Sequence, residues 1–440
     1  MILPANRLIW TFGLTSIPAG LIWANNPEAT ALIGLLFMVA LLLLCLDAWR
    51  SGQLLATLSV EAPERFNLTH CREGVLEFYI RHQEGRDASV QFGLHLAPGL
   101  KSEHTECWID LDGEQSRAKV LWPVTPQRRG TITLESCCIR ALSPFGFWIR
   151  QKKLPFAVKL HAYPNIFSER KQLAALFLNR GQHGLHLQRQ VGKGREFEKL
   201  REYLPGDSLN DIHWRATAKR GYPVTKEYQI ERTQEIYVVI DASRLSSRAC
   251  GDESILERYI TAALILNLVT QQQGDLFGLV TFDDRVTNFI RAKAGKPHFR
   301  VCQDALLNLQ TKAVTPDFNE LTSFLSGQLH RRSLVLFLTS LDEAALAEQF
   351  EKDMELINRK HLVLVNMLKH EKTAPLFSDA QTNSLDKVYQ DLGGHMLWQE
   401  LRELGKSLQS KGIDFHLLEN ETLCTELVST YLNIKRRQIL

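Results

Sequence analysis

Oxygen-bearing side chains stand at the ends of three apolar stretches in the second half of this 440-residue chain. Asp241 ends EIYVVID, Asp283 follows LFGLVTF, and Asp342 comes soon after SLVLFLT, with serines and threonines close to each. Carboxylate and hydroxyl oxygens are the ligands that hard cations such as Mg²⁺ prefer. The same groups can instead close a strand end by hydrogen bonds, and the residue types alone leave both interpretations open.

The apolar stretches predict the elements that carry these side chains. Residues 235–241, 276–282, 333–339 and 361–368 are continuous apolar strands with amphipathic helices between them. That alternation predicts a doubly wound parallel sheet covered on both faces. Ligands of such sheets bind beyond the carboxyl ends of the strands, where the oxygen-bearing residues fall. The sequence has neither GxGxxG nor a P-loop, so nucleotide binding is not supported.

The residues after the first strand resemble the von Willebrand factor A domain. There, Asp-x-Ser-x-Ser together with a distant Thr and a distant Asp holds a divalent metal, which a partner's carboxylate completes. Asp241 and Ser243 match that motif, but Leu245 takes its third position and Ser340 stands where the distant Asp is expected. Since Leu cannot ligate a metal and Ser brings no charge, the resemblance implies a degenerate metal site.

The candidate ligands of that degenerate site are Asp241, Ser243, Thr315 and Asp342, with Asp283 as a further substitute. Thr315 precedes a predicted helix and is the candidate for the distant Thr. Loss of a carboxylate lowers the ligand charge, and Mg²⁺ gives up its water reluctantly. We therefore expect no cofactor and at most weak Mg²⁺ binding, with the strand ends closed by hydrogen bonds.

A period-two pattern runs from about residue 54 to residue 165. In VLEFYIR, Leu76, Phe78 and Ile80 fall on one face of a strand, and SVQFGLHL repeats the alternation. Short half-buried strands at this spacing predict a β-sandwich. Cys137 and Cys138 are adjacent in one strand and must face opposite ways, so we expect one core thiol and one surface thiol.

Two uncharged apolar segments occupy the N-terminal region, residues 8–24 and 29–46. Both approach the roughly 20 residues that a transmembrane helix needs. The polar NNPE turn between them predicts a helical hairpin in the lipid bilayer; a cleaved signal peptide and a buried helical hairpin are the alternatives. Arg7 and Arg50 flank the spans, so the positive-inside rule places the bulk of the chain in the cytoplasm.

Composition narrows the functional classes. The net charge is only +3, which gives no overall drive toward nucleic acid. Eight cysteines show no CxxC pair, which is typical of reduced thiols in the cytosol.

A chain of this length predicts two or three domains. The patterns predict the divisions 1–50 (two transmembrane helices), 54–165 (β-sandwich), 166–233 (linking segment) and 234–440 (α/β domain).

Positions 194–220, GREFEKLREYLPGDSLNDIHWRATAKR, mix charges of both signs with aromatic residues and a Pro-Gly-Asp corner. Between 189 and 232 there are ten Lys or Arg and seven Asp or Glu, which argues against a phosphate-binding track. The residues that carry the pattern are Glu196, Phe197, Arg201, Tyr203, Pro205, Gly206, Asp207, Trp214 and Lys219.

This pattern resembles the signature of the bacterial domain-of-unknown-function 58 family, as do SPFGF at 143–147 and the order of the predicted domains. The family commonly has Arg in place of Asn210 and Asp in place of His213. The resemblance implies a protein of the bacterial inner membrane without known catalytic activity, of a kind commonly encoded beside MoxR-type AAA+ ATPases. It therefore implies an adaptor or chaperone-like partner of such an ATPase rather than an enzyme. The alternative is a metal-dependent hydrolase using Asp241, Asp283 and Asp342.

Two interpretations of the segment around Trp214 stay open. In the first, the segment is a clasp between the β domain and the α/β domain, so Trp214 should be substantially buried and Arg201 paired with a carboxylate. In the second, the segment is a docking surface for a protein partner. A catalytic role for His213 is not supported, since no Ser or Cys nucleophile is suitably spaced.

Overall fold

The structure, a computed structural model, describes residues 1–25, 30–82, 88–111, 117–180, 191–229, 233–251, 253–370, 373–376 and 385–437. The chain divides into two compact units, Met1–Asn165 and Ile166–Leu440. One predicted boundary coincides with this division, and the finer division into four parts stays a prediction. The NNPE turn between the predicted spans lies mostly outside the described residues.

Two helices lie near the start of the first unit: α1 spans Asn6–Asn25 and α2 spans Thr30–Ala56. Among the described residues, a single segment, Ile33–Gly52, is long and apolar enough to cross a membrane. It overlaps the second predicted span but begins and ends later. The first predicted span, 8–24, lies within α1, where Pro18 and several polar residues reduce its apolar character. Its membrane crossing stays a prediction.

The strands of the first unit form two sheets. They are β1 Ile2–Pro4, β2 Leu58–Glu61, β3 Arg65–Thr69, β4 Gly74–His82, β5 Ala88–Leu94, β6 Leu100–Lys101, β7 Cys107–Leu111, β8 Arg117–Pro126, β9 Gly130–Leu142 and β10 Trp148–Tyr163. One sheet has the order β1-β10-β9-β5-β7, with β3 also paired to β10, and the other has the order β2-β4-β8-β6. Within β9, Cys137 is buried and Cys138 is half-buried, as the alternation predicts.

The two sheets contribute to one apolar core. Alternate residues of β4, including Leu76 and Phe78, are fully buried there together with Val90 and Phe92 of β5. The rings of Phe92 and Trp122 meet edge to face with their centroids 5.6 Å apart. Since β4 and β5 belong to different sheets, the inward faces of both sheets fill this core. The predicted period-two burial is confirmed.

The second unit is built on a larger sheet with the order β17-β16-β13-β18-β19-β20. The strands of this unit are β11 Val191–Glu202, β12 Val224–Gln229, β13 Glu235–Asp241, β14 Ala249–Cys250, β15 Glu253–Ser254, β16 Leu276–Phe282, β17 Val286–Lys293, β18 Leu334–Leu338, β19 Leu362–Leu368 and β20 Asp414–Leu418. Neighbours in the large sheet run parallel, except that β17 is antiparallel to β16. The four strands predicted at 235–241, 276–282, 333–339 and 361–368 agree with β13, β16, β18 and β19 to within one residue at each end.

Helices cover both faces of this sheet. They are α3 Phe167–Arg180, α4 Trp214–Arg220, α5 Ile255–Gln272, α6 Lys296–Leu307, α7 Phe318–Gln328, α8 Ala344–Asn358, α9 Leu385–Ser410 and α10 Leu423–Arg437. Ile236 and Val238 of β13 pack in one core with residues of α5 and α10, whereas Tyr237 and Val239 pack in the opposite core with residues of α7 and α8. The doubly wound α/β sheet is therefore confirmed. Its strand order reverses between β13 and β18, which is the place where such sheets bind ligands.

Candidate functional site

Asp241 lies at the reversal point of the large sheet and is completely buried. Its Oδ1 accepts a hydrogen bond from the backbone N–H of Ser243 at 2.8 Å, and its Oδ2 accepts one from the Thr339 hydroxyl at 2.7 Å. Burial raises the pKa of Asp241 above its ordinary value, and these two hydrogen bonds only partly oppose that effect. Asp241 therefore ties the ends of β13 and β18 together.

Asp283, at the end of the neighbouring strand β16, is paired with a lysine. The Nζ atom of Lys312 lies 2.5 Å from Asp283 Oδ2, and the backbone N–H of Lys312 donates to the Ala242 carbonyl at 2.9 Å. Burial acts to raise the pKa of Asp283, but the hydrogen bonds from Asp284 and Lys312 outweigh it and hold the pKa below its ordinary value. The carboxylate of Asp283 thus has a cation supplied by the chain itself.

The loop after β18 shows the same arrangement. Arg248 contacts the carboxylate of Asp342, and His370 Nε2 lies 3.5 Å from it. Burial opposes ionisation, yet the hydrogen bonds from His370 and Arg248 lower the pKa of Asp342 to about 2. The next residue, Glu343, pairs with Arg244 at 2.7 Å. We call Asp241, Asp283, Asp342 and Glu343 together the carboxylate rim.

The predicted metal ligands have different hydrogen-bonding and charge partners. Asp241 binds Thr339, whereas Asp342 is held by Arg248. The Ser243 hydroxyl accepts a hydrogen bond from the Leu245 N–H at 3.4 Å. Thr315 is exposed, and its hydroxyl lies 3.5 Å from Arg244 Nε. Within the described ranges, no three His, Cys, Asp or Glu side chains are grouped to hold a metal ion. Within the described residues these candidate ligands are bound by groups of the chain itself, and the weak Mg²⁺ binding expected from the sequence stays a prediction.

Sequence reasoning missed the basic partners of this rim. Arg244 and Arg248 follow Asp241 closely in the sequence, which was a usable signal. Lys312 and His370 come from distant loops, so their positions depend on how the chain crosses the sheet edge. Nothing in the local sequence marks either residue as a partner of a particular carboxylate.

A second candidate site lies on the ribbon formed by β11 and β12, which are paired antiparallel. Between these strands, residues 203–223 form a compact tip that we call the signature head. Arg201 at its base makes two parallel hydrogen bonds to Asp207, at 2.8 and 2.7 Å. The predicted pairing of Arg201 with a carboxylate is confirmed. The Arg201 hydrogen bonds, with a further one from Leu204 N–H at 2.9 Å, lower the pKa of Asp207.

Turn and capping residues shape the rest of the signature head. Gly206 has φ +111°, which suits glycine and fits the predicted Pro205-Gly206-Asp207 corner. His213 caps α4, because its Nδ1 accepts the Ala216 N–H at 3.0 Å. The Tyr203 N–H donates to the Pro223 carbonyl at 3.0 Å and closes the neck of the head. The head is thus held mainly by hydrogen bonds.

Large apolar side chains point outward from the signature head. Leu204, Leu209, Trp214 and Tyr222 are 58%, 69%, 69% and 41% exposed, respectively. The prediction that Trp214 would be substantially buried is wrong. The head is small: its buried apolar residue is Ile212, with Val224 of β12 directly after the head. It therefore offers little interior for a Trp at the start of α4.

The outward face of the head is also basic. Arg215, Lys219 and Arg220 of α4 are exposed. The backbones of Glu196 and Phe197 lie in β11, but their side chains fall outside what the structure describes. The predicted signature residues from Arg201 to Lys219 are therefore brought together at the tip of one ribbon.

Residues 199–384 match the family described as Protein of unknown function DUF58. Over this segment the chain is similar to that family. The match includes the whole signature head and the carboxylate rim. An uncharacterized protein of Mycobacterium tuberculosis, Rv1480, and one of Mycobacterium bovis, Mb1516, are 27% identical over 118 residues. That alignment covers 26% of this chain and 37% of each relative, so the chain spans little more than a third of their length.

Solved structures similar to this chain include the SpRpn10 VWA domain, with a TM-score of 0.28 and 10% sequence identity. That match covers 45% of this chain and 95% of the solved one. BatB from Bacteroides thetaiotaomicron matches with a TM-score of 0.30 and 11% sequence identity. An aerotolerance-related membrane protein from Bacteroides fragilis matches with a TM-score of 0.29 and 12% sequence identity. Each match covers 46% of this chain and 99% of the solved one. The α/β assignment rests on the strand order and register of the sheet itself.

Proposed function

We propose that this protein, which is similar to the DUF58 family over residues 199–384, is a membrane-anchored adaptor that binds a protein partner through its signature head. The observation that carries the proposal is the exposure of Leu204, Leu209, Trp214 and Tyr222 on a head whose backbone is fixed by its own hydrogen bonds. Solvent-exposed apolar side chains grouped in this way are typical of interaction sites.

The fixed conformation of the head favours binding. Association costs less when the contacting groups are ordered beforehand, and the Arg201–Asp207 pair and the His213 cap supply that order. Trp, Tyr and Arg are the residues that most often dominate interface energies, and the head presents Trp214 and Tyr222 beside Arg215. The additional charges of Lys219 and Arg220 favour an acidic partner surface.

We infer that the partner is a MoxR-type AAA+ ATPase, which the adaptor would serve in a chaperone-like role. The support for this choice is the family resemblance of the signature. The basic face of the head adds a physical criterion, since the contacting surface of the ATPase should be acidic.

The anchor in this proposal is a helical hairpin in the bacterial inner membrane. Its support is the apolar segment Ile33–Gly52 together with the uncharged stretch 8–24 in α1. Arg7 and Arg50 at the outer ends of the two helices favour an orientation in which the β-sandwich and the α/β unit face the cytoplasm.

The metal-dependent hydrolase is the alternative. It requires carboxylates that converge and remain free to bind metal or transfer protons. The pairing of Asp283 with Lys312 and of Asp342 with Arg248 favours the adaptor instead, because both carboxylates already have cationic partners.

The proposal is tested by crosslinked capture from membranes that contain the full chain and the MoxR-type ATPase of the same genome, with and without ATP. Trp214→Ser should abolish capture of the ATPase. The matched control is Trp108→Ser, since Trp108 in β7 is 57% exposed and lies outside the head. Equal capture by wild type and Trp214→Ser would refute docking through the head. Loss of a different protein with Trp214→Ser would keep the docking site and refute the ATPase assignment.

A further inference from the structure

The C-terminal half of α2 is fastened to strand β10. Alternate residues of the strand lie on one face, and three of them reach carbonyl oxygens of the helix. The hydrogen bonds run from Trp148 Nε1 to Leu44 at 3.0 Å, from Arg150 Nη1 to Ala48 at 3.1 Å and from Lys152 Nζ to Leu55 at 2.9 Å. The end of the candidate membrane helix is therefore part of the first unit.

Asp47 strengthens this attachment. It is completely buried, although it lies inside the apolar segment Ile33–Gly52. Its carboxylate accepts hydrogen bonds from the Ser143 hydroxyl and from the Phe145 backbone N–H, the latter at 3.1 Å. Both donors belong to the SPFGF motif, which explains why a carboxylate is tolerated in an apolar helix: the β9–β10 loop satisfies it.

The attachment leaves too little free helix to cross a bilayer. The part of α2 before the first hydrogen bond, Thr30–Leu43, is about 21 Å long at 1.5 Å per residue. The hydrocarbon layer of a bilayer is about 30 Å thick. The remaining ~9 Å must come from the segment between Leu44 and Gly52, which lies beside β10. The protein surface around that segment must then enter the membrane interface.

The end of the sheet beside that segment carries apolar side chains on its face opposite α2. Leu3, Ile149 and Leu142 lie directly opposite one another across β1, β10 and β9, and we call them the exit stripe. Leu3 is 37% exposed and Leu142 is 42% exposed. Phe145, in the loop that holds Asp47, is 55% exposed. Ile149, between Leu3 and Leu142, is half-buried.

The flanking residues match a membrane interface. Trp49 of α2 is 63% exposed, and Trp is enriched at the level of the headgroups. Arg50 follows it, and Lys153 lies on the same strand face as Ile149; both are exposed. Basic side chains at this depth reach anionic headgroups while their stems stay among apolar groups.

We propose that the exit stripe and Phe145 insert into the boundary between headgroups and acyl chains of an anionic bilayer, so that the first unit, and not α2 alone, sets the depth of the anchor. This inference rests on the membrane anchoring in the proposed function. The SPFGF motif then has two roles, since it donates the hydrogen bonds that Asp47 accepts and carries an apolar side chain into the interface.

The test uses the full chain in vesicles of phosphatidylglycerol and phosphatidylethanolamine that contain a photoactivatable phospholipid, with labelled peptides mapped by mass spectrometry. We expect labelling at 142–149 at least fivefold above labelling at two equally exposed control positions, Leu121 at 54% and Trp108 at 57%. A protein that floats with the vesicles but shows equal labelling at 142–149 and at the controls overturns the inference while leaving the anchor intact. A protein that does not float refutes the anchor itself.

A variant pair sharpens the test. Leu142→Glu combined with Phe145→Glu should reduce lipid labelling of that peptide several-fold, because charges leave the interface, while Leu121→Glu should leave it unchanged. Melting temperature serves as the folding control, since all three side chains are exposed. Undiminished labelling of the double variant would show that the stripe does not hold the lipid contact.

Discussion

The carboxylate rim and the signature head differ in how they use their side chains. At the rim, residues suited to chemistry are used for structure: Asp283 is paired with Lys312, and Asp342 with Arg248. On the head, residues suited to a core are exposed, and Trp214 is 69% accessible. The comparison shows that the side-chain pairing of a polar residue, more than its type, separates a structural carboxylate from one available for function.

The strongest way to break this comparison is to remove Asp241. Asp241→Ala leaves the Ser243 N–H and the Thr339 hydroxyl without their acceptor in a fully buried place, so the free energy of unfolding should fall by about 3 kcal/mol. Urea unfolding of the full chain in detergent micelles measures it. Asp241→Asn keeps an acceptor and should lie within about 1 kcal/mol of wild type. If Asp241→Ala unfolds like wild type, the rim is not a structural device.

Acid should weaken the rim in a defined pH range. The pKa of Asp342 is about 2 in the folded protein, against an ordinary value of 3.8. Because the folded pKa is the lower one, the stabilisation is complete above about pH 4 and is lost as the pH falls toward 2. It amounts to about 2 kcal/mol.

The measurement for Asp342 is the melting temperature between pH 5 and pH 2. Asp342→Asn, which cannot ionise, should lose stability less steeply in this range than wild type does. The same slope for both proteins would mean that Arg248 and His370 do not stabilise the ionised carboxylate. Arg248→Met provides an independent control, since it removes the principal cation.

The smallest expected effect belongs to the head. Trp214→Ala should change the free energy of unfolding by less than about 0.5 kcal/mol, because an exposed side chain has little buried area to lose. The matched control is Trp122→Ala in the core of the first unit, which is 1% exposed and should cost about 3–5 kcal/mol. A large loss of stability in Trp214→Ala would instead support the interpretation of this segment as a structural clasp.

Much of the fold followed from the sequence because burial imposes strict patterns. A central parallel strand is covered on both faces, so 235–241 and 276–282 had to be apolar throughout, and both were predicted with their observed bounds. The strands of the first unit were recognisable because β4 alternates between core and surface. These patterns depend on residues close together in the sequence or on one whole face of a sheet. Both are visible in the order of apolar and polar residues.

The candidate sites were less predictable because they depend on long-range pairing. The partner of Asp207 is Arg201, six residues away; the sequence predicted that Arg201 pairs with a carboxylate, but not which one. The partner of Asp283 is Lys312, which lies in another loop, and no sequence pattern predicted this pair. The burial of Trp214 was wrongly predicted because an aromatic residue in a short amphipathic segment fits a core and a docking surface equally well.

The bonding between α2 and β10 has a mechanical consequence. From Leu44 to Leu55 the helix advances about 16 Å, while Trp148 to Lys152 covers about 13 Å of strand, so the two elements run side by side in the same direction. A pull along the helix would therefore load β10 lengthwise. That strand is paired with β9 through most of its 16 residues, so the ladder would resist in shear, with many hydrogen bonds sharing the force, instead of opening one bond at a time. The protein is fastened to its helix in the geometry that best withstands tension.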